Sequence, residues 1–289
     1  MITTFAVEPK RGFGRAGATI RRVALYLALV AGGLFMLMPF IWMFSSSLKD
    51  QGAIFAYPPS LFPPEARWSN FREILDVVPF GRYFSNSVFI AAVSVVGQLL
   101  SCSMAAFAWA RIPFFGRDVL FMTLMAALII PPQVTLVPLF IMMNGVGWID
   151  TYYPLILPFW LGGAFGTFLL RQFFLAIPRD LEDAAKIDGA GPWRIYWSIY
   201  LPLCKPALAT VAIFTFLLQW NELLRPLIFL STPEKLPLTV GLAALRSQYS
   251  TSWNLIMAGA LISVIPVLVL FIFAQRYFVR GVTSSGLKG

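Results

Sequence analysis

The sequence predicts an all-α, polytopic membrane protein with six transmembrane helices, and three observations lead there. Apolar residues make up 58% of the 289 residues and charged residues only 12%, with a mean hydropathy of +0.76. Soluble domains run at roughly 45–50% apolar and about 25% charged. The stretches 23–48, 83–110, 119–149, 151–170, 206–221 and 247–275 contain no Asp, Glu, Lys, Arg or His at all. A helix needs about 20 mostly apolar residues to cross ~30 Å of hydrocarbon, which five of these stretches supply alone. The sixth reaches that length by running from Pro206 to about Leu230 with Glu222 and Arg225 inside it. The runs are continuous and rich in Leu, Ala, Phe and Met. A membrane β-barrel would instead show ~10-residue alternating segments.

Taken in order, residues 1–22 form a basic N-terminal segment carrying Lys10, Arg11, Arg15, Arg21 and Arg22. The apolar run that follows is too long for a signal-peptide core and lacks a small-x-small cleavage site, so it reads as an uncleaved first span. That span, 23–48, has Pro39 inside it, and the Pro- and aromatic-rich loop after it is expected to pack as a cap or as short helices. Span two (83–110) carries Asn86, Gln98 and several serines. Span three (119–143) contains Pro131-Pro132 and Pro138, which remove backbone donors and call for protein or water partners. Span four (151–170) carries Gly162, Gly163 and Gly166, small enough for close helix approach. Spans five (206–230) and six (253–275) complete a bundle over 23–276, and residues 277–289 form a tail.

Net charge is +9, but its distribution argues against nucleic acid as the partner. Alternate connectors share a side of the membrane. One side then holds fifteen Lys and Arg and the other six. The positive-inside rule puts both termini in the cytoplasm, so the excess sets topology in the cell membrane. Cys102 and Cys204 form no disulfide framework, and no metal-ligand spacing occurs. There is no phosphate-binding loop, no His and no convincing catalytic group, so no cofactor is expected and any energy from ATP must arrive through a partner.

The connector 178–205 is the most informative segment. Pro178 and Asp180 open a helix, and Glu182 and Asp183 in its first turn suit the positive helix end. Ala184, Ala185 and Ile187 give a small, mildly apolar face, Asp188-Gly189 ends the helix, and Pro192 begins a second one. Trp193, Tyr196, Trp197 and Tyr200 make an aromatic stripe suited to the membrane interface, and Pro202 and Pro206 turn the chain back. The result is an amphipathic hairpin with a small-residue tip that a partner can approach closely.

These residues resemble the EAA loop of ABC importer permeases, the coupling helix that sits in a cleft of the ATPase subunit. The family pattern Glu-Ala-Ala-x-x-x-Gly appears as Asp183-Ala184-Ala185-Lys186-Ile187-Asp188-Gly189, followed by Ala190, then Leu201-Pro202 and Pro206. Asp183 stands at the family's Glu position, with Glu182 before it. Residues 79–87, Gln219-Trp220-Asn221-Glu222 and the C-terminal run from Gln275 are similar to the MalG-like carbohydrate permeases. The resemblance implies a type I importer permease, itself non-catalytic. It pairs with a second, homologous permease, two ATPase subunits and an extracytoplasmic solute-binding protein. The implied solute is a carbohydrate or related polyol, the alternatives being a glycerol phosphoester or an oligopeptide. It also implies that Glu182, Asp183, Ala184, Ala185, Asp188, Gly189, Ala190, Leu201 and Pro202 serve ATPase coupling.

Two readings stay open for the charges inside span five. Glu222 and Arg225 are three residues apart, on one face of a continuous helix, and would form a self-neutralising pair or line the pathway with Gln219 and Asn221. A secondary carrier is the competing class, for which broken-helix repeats would be expected, and none is visible.

Overall fold

The computed structural model describes residues 15–63, 65–246 and 252–285. Lys10 and Arg11 of the basic N-terminal segment, and residues 286–289 of the tail, lie outside the described residues. The chain runs through α1 (Arg15–Ser47), α2 (Gln51–Ile54), α3 (Ser69–Val77), α4 (Phe80–Arg111) and α5 (Arg117–Ala126), the last prolonged by a 3₁₀ turn, Ala127–Ile129. Then come α6 (Leu136–Gly145), α7 (Tyr153–Trp160), α8 (Ala164–Ala176), α9 (Arg179–Ile187) and α10 (Pro192–Ile195). A π turn, Tyr196–Tyr200, leads to α11 (Leu201–Leu203), α12 (Lys205–Trp220), α13 (Leu224–Phe229), α14 (Leu238–Ala243) and α15 (Trp253–Ser285). No β-strand element occurs among the described residues.

Among the described residues, four stretches are long and apolar enough to cross a bilayer: Thr19–Ser47, Phe80–Arg111, Tyr153–Ala176 and Trp253–Gln275. A fifth is the pair Pro192–Leu203 and Lys205–Trp220, bent by 78°. Among the described residues, the predicted third and fifth spans are thus not single unbroken helices. In the predicted third span, Pro131 and Pro132 end the helix in a turn, where Val134 and Thr135 donate back to the two proline carbonyls. That leaves α5 and α6 with ten residues each.

The predicted fifth span breaks for a different reason. Proline in a helix interior loses a hydrogen bond and clashes with the carbonyl four residues earlier, but it is tolerated in the first turn. A helix through 230 would set Pro226 against the Glu222 carbonyl. Instead α12 stops at Trp220 and α13 restarts at Leu224, with Pro226 in its opening turn. The freed Glu222 carbonyl accepts from the Thr239 hydroxyl at 2.7 Å. Glu222 thus lies in the break itself and Arg225 in the first turn of α13.

The loop after α1 does form short helices, α2 and α3. Buried Asn70 ties it down, donating to the carbonyls of Ser47 and Lys49 at 2.8 and 2.9 Å. The central helix is α4, which packs against α7, α8 and α12, while α1 packs along α15. The small residues of span four allow the α4 contact: a Cβ on Gly163 would stand 2.3 Å from Gln98 Nε2, and one on Gly166 would stand 2.9 Å from Cys102 Sγ.

At 32 residues, α4 is about 48 Å long, enough to join cores at both ends of the bundle. Phe80, Tyr83 and Ile90 near its start pack with Trp220, Leu238 and Leu255 or with Leu155 and Phe229. Near its end, Cys102, Ala106, Phe107 and Ala110 pack with Leu170, Phe174 and the 195–211 segment.

Candidate coupling site

The hairpin hangs from this second core. Its first arm, α9, begins just after Pro178, with Asp180 and Glu182 in the first turn, where carboxylates meet unpaired N–H groups. Its C-terminus closes with paired backbone bonds: Ala190 N–H to the Ala185 carbonyl at 2.9 Å and Gly189 N–H to the Lys186 carbonyl at 3.0 Å. This double closure needs a left-handed residue between the two, and Gly189 takes it at φ +77°. Any L side chain there is strained even though open space surrounds it.

The helical period sorts the predicted coupling residues onto two faces. Asp183, Ala184, Asp188 and Gly189 are exposed, while Glu182, Ala185 and Ala190 turn inward. Leu201 is half-buried and Pro202 exposed at the end of the return arm. The two adjacent carboxylates therefore differ in role. Asp183 faces outward, 3.5 Å from Lys186 Nζ. Glu182 is enclosed: its Oε2 accepts from the Tyr200 hydroxyl at 2.8 Å and its Oε1 pairs with Lys186 Nζ at 2.8 Å. Burial pushes the Glu182 carboxyl up. Donation from Lys186 and Tyr200 and the charges of Lys186 and Arg111 outweigh it, holding the group below the ordinary Glu value.

The aromatic stripe does not act as one unit. Trp193 and Trp197 are exposed, but Tyr196 and Tyr200 are buried. Tyr200 packs 5.1 Å from the Phe107 ring and 5.4 Å from Phe174, and the Tyr196 hydroxyl lies 2.7 Å from Ser103 Oγ. The return arm is thus anchored in the helical core, with only its outer side suited to a membrane interface. Sequence reasoning missed Arg111, which it took only as a topology charge. This last residue of α4 is buried beside Glu182.

The predicted pathway residues make separate contacts. Gln219 bridges three helices, its Nε2 donating to Ser94 Oγ at 2.8 Å and the Leu155 carbonyl at 3.0 Å. Asn221 is exposed and bonds only back to the Leu217 carbonyl, at 2.8 Å. Glu222 Oε1 caps α13, accepting from the N–H groups of Leu224 (3.0 Å) and Arg225 (3.4 Å). Its side chain forms no ion pair with Arg225.

Residues 97–284 match the family of binding-protein-dependent transport system inner membrane components. The chain belongs to that family. This permease is 39% identical over 207 residues to the arabinooligosaccharides transport system permease protein AraQ of Halalkalibacterium halodurans, covering 72% of this chain and 74% of that one. It is 33% identical to the sn-glycerol-3-phosphate transport system permease protein UgpE of Yersinia pestis, covering 90% and 95% of the two chains. Among solved structures, a chain of a bacterial ABC transporter involved in importing the acidic polysaccharide alginate superposes with a TM-score of 0.78 at 26% identity. That match covers 93% of this permease and all of the other chain. The fold is that of an ABC importer permease, and the chain is a multi-pass membrane protein.

Proposed function

We propose that this permease forms half of the translocation pathway of an ATP-driven importer and is driven through the hairpin 178–205. One observation carries the reading. Ile187, at the tip of α9, is 87% exposed and is flanked by exposed Ala184 and Gly189. A lone exposed apolar residue is ordinary on a protein surface, but this one sits on the outward face of the hairpin that carries the EAA pattern, where a partner's groove would receive it. The occupant is an ATPase subunit, because the hairpin matches the EAA pattern and the chain has no phosphate-binding loop of its own. Two such ATPase subunits, a second homologous permease and an extracytoplasmic solute-binding protein complete the assembly.

In this reading α1, α4, the broken pair α5–α6, α7–α8, α12–α13 and α15 make six crossings of the inner membrane. Residues 1–22 and 277–289 lie in the cytoplasm with the hairpin, on the Lys- and Arg-rich side. The bundle occupies 23–276. ATP-driven closure of the ATPase pair displaces the hairpin and switches the bundle between inward and outward access.

The solute is a carbohydrate or related polyol, as the names of the AraQ relative and the alginate importer support. A glycerol phosphoester is the second reading, supported by the UgpE relative. Uptake by reconstituted complex of arabino-oligosaccharides against sn-glycerol 3-phosphate separates the two.

Ala184→Trp tests the coupling. The residue is exposed and helical, so the substitution adds bulk without the backbone strain of a change at Gly189. Membrane insertion should persist while ATPase copurification and uptake are lost. Uptake at the unaltered rate would overturn the docking model.

A further inference from the structure

Arg111 ends α4 with its side chain only 4% exposed, an expensive position for a group that is always charged. Four contacts compensate it, and they come from separate parts of the fold. Its Nη2 donates to the carbonyls of Phe174, at 2.6 Å, and Ile177, the last carbonyls of α8 and the residue after it. A cation there also meets the negative end of the helix. The guanidinium lies 5.1 Å from the centre of the Tyr200 ring on the return arm. Its Nη1 stands 4.0 Å from Glu182 Oε2 on α9, the oxygen that Tyr200 also donates to.

Both arms of the hairpin therefore meet one guanidinium, and that guanidinium is rooted in α4 and fastened to α8. The connector between α8 and α9 is Ile177-Pro178, short and with a fixed proline φ, so little slack exists between the fastening and the first arm. Arg111 Nε is buried without a partner, so these contacts do not exhaust the donors of the guanidinium.

We infer that Arg111 is a positioning residue that locks the hairpin to the ends of α4 and α8, so that hairpin displacement reaches the bundle as rigid-body motion. The inference rests on the coupling reading above, and it goes further by naming the joint.

The test uses the assembled complex carrying nitroxide labels at introduced cysteines replacing Asp180 on α9 and Phe115 just beyond α4, both exposed. The native Cys102 and Cys204 are buried, so labelling is selective. If the joint is rigid, the 180–115 distance stays the same when ATP is added. In Arg111→Ala, and in Glu182→Gln, it should shift on adding ATP, with the ATPase still copurifying. Arg111→Lys, which keeps the charge but loses the planar fork, should restore the unaltered behaviour only in part. An ATP-dependent shift without any substitution at Arg111 or Glu182 overturns the inference, as do unaltered distances in both variants. Failure of the ATPase to copurify with the unsubstituted chain would instead sink the coupling reading, which keeps the two separable. Glu182→Gln keeps an acceptor for Tyr200, so the test stands even if Arg111→Ala does not fold.

Discussion

The indole ring of Trp160 fills the space over the α-carbon of Gly97, where α7 crosses α4. A Cβ at position 97 would stand 2.2 Å from Trp160 Cδ1 and 2.3 Å from its Nε1. Nε1 holds the ring there by donating to the Val93 carbonyl one turn earlier at 3.1 Å, so a retreat from the Cβ would strain that bond. Overpacking of this kind costs roughly 1–3 kcal/mol. Alanine's better helix propensity returns about 0.5–1 kcal/mol, so the clash wins. Gly97→Ala should lower the melting temperature of the purified protein. Gly33→Ala on α1, where nothing lies within 4 Å of a built Cβ, should leave it level or raise it. Equal melting of the two variants would refute the contact.

Asp150 holds the loop after α13 by acting as a local anion site. The residue sits at φ 58°, unusual for anything but glycine, asparagine or aspartate. Its Oδ1 accepts from the N–H groups of Ser231 and Thr232 at 2.9 and 3.0 Å, and its Oδ2 pairs with Lys235 Nζ at 2.9 Å. The hydroxyl and N–H of Thr232 foremost, with Lys235 and Ser231, hold the carboxyl well below the usual range. A depressed folded pKa contributes stability that is complete above the unfolded value, about 3.9, and fades as pH falls through the lower folded one. Asp150→Asn keeps the backbone conformation and loses the charge. Its melting temperature should fall below that of the unaltered protein by a constant amount from pH 8 to about 5. The gap should close only at pH below about 4. A gap that closes already near pH 6 would contradict the assignment.

What the sequence reveals depends on whether the deciding partners are near in the chain. The break of span three, expected to cross as one helix, has a local cause, because Pro131 and Pro132 act on their own backbone. The hairpin is legible for the same reason: Pro178, Gly189 and Pro192 are local punctuation, and all three act as expected. Pro226 carries an equally local signal: it breaks the helix at 221–223, so Glu222 does not share the helix face with Arg225 that an unbroken span would give. Tyr196 and Tyr200 could not be separated from Trp193 and Trp197 in this way. Their burial is decided by Ser103, Phe107 and Phe174, which belong to distant helices. Arg111 was hidden by the same distance. A charge at a span boundary satisfies topology rules whether it faces water or Glu182, and only the folded chain distinguishes the two.

Because Glu222 caps α13 instead of pairing with the Arg225 side chain, the two residues should behave independently. Losing a cap costs about 1 kcal/mol, so Glu222→Ala should destabilise measurably. Arg225→Ala leaves the backbone N–H in place and should change stability little. In a double-mutant cycle their coupling should stay below about 0.5 kcal/mol, the usual margin for independent sites. A larger favourable coupling would mean that the side chains pair after all.

Gln219 and Asn221, read together from sequence as pathway candidates, should part company on measurement. Gln219 donates to α4 through Ser94 and to α7 through the Leu155 carbonyl. Interhelical hydrogen bonds in membrane proteins are worth about 0.6 kcal/mol on average and up to ~1.7 kcal/mol. Gln219→Leu forfeits two of them and leaves the Leu155 carbonyl without that donor, so melting temperature and uptake should fall together. The Asn221 side chain hydrogen-bonds back to its own helix and is exposed. Asn221→Ala should leave melting unchanged, and any loss of uptake it causes then reports on solute passage alone. The assignment fails if Gln219→Leu abolishes uptake at an unaltered melting temperature, because Gln219 would then be serving the solute and not the bundle.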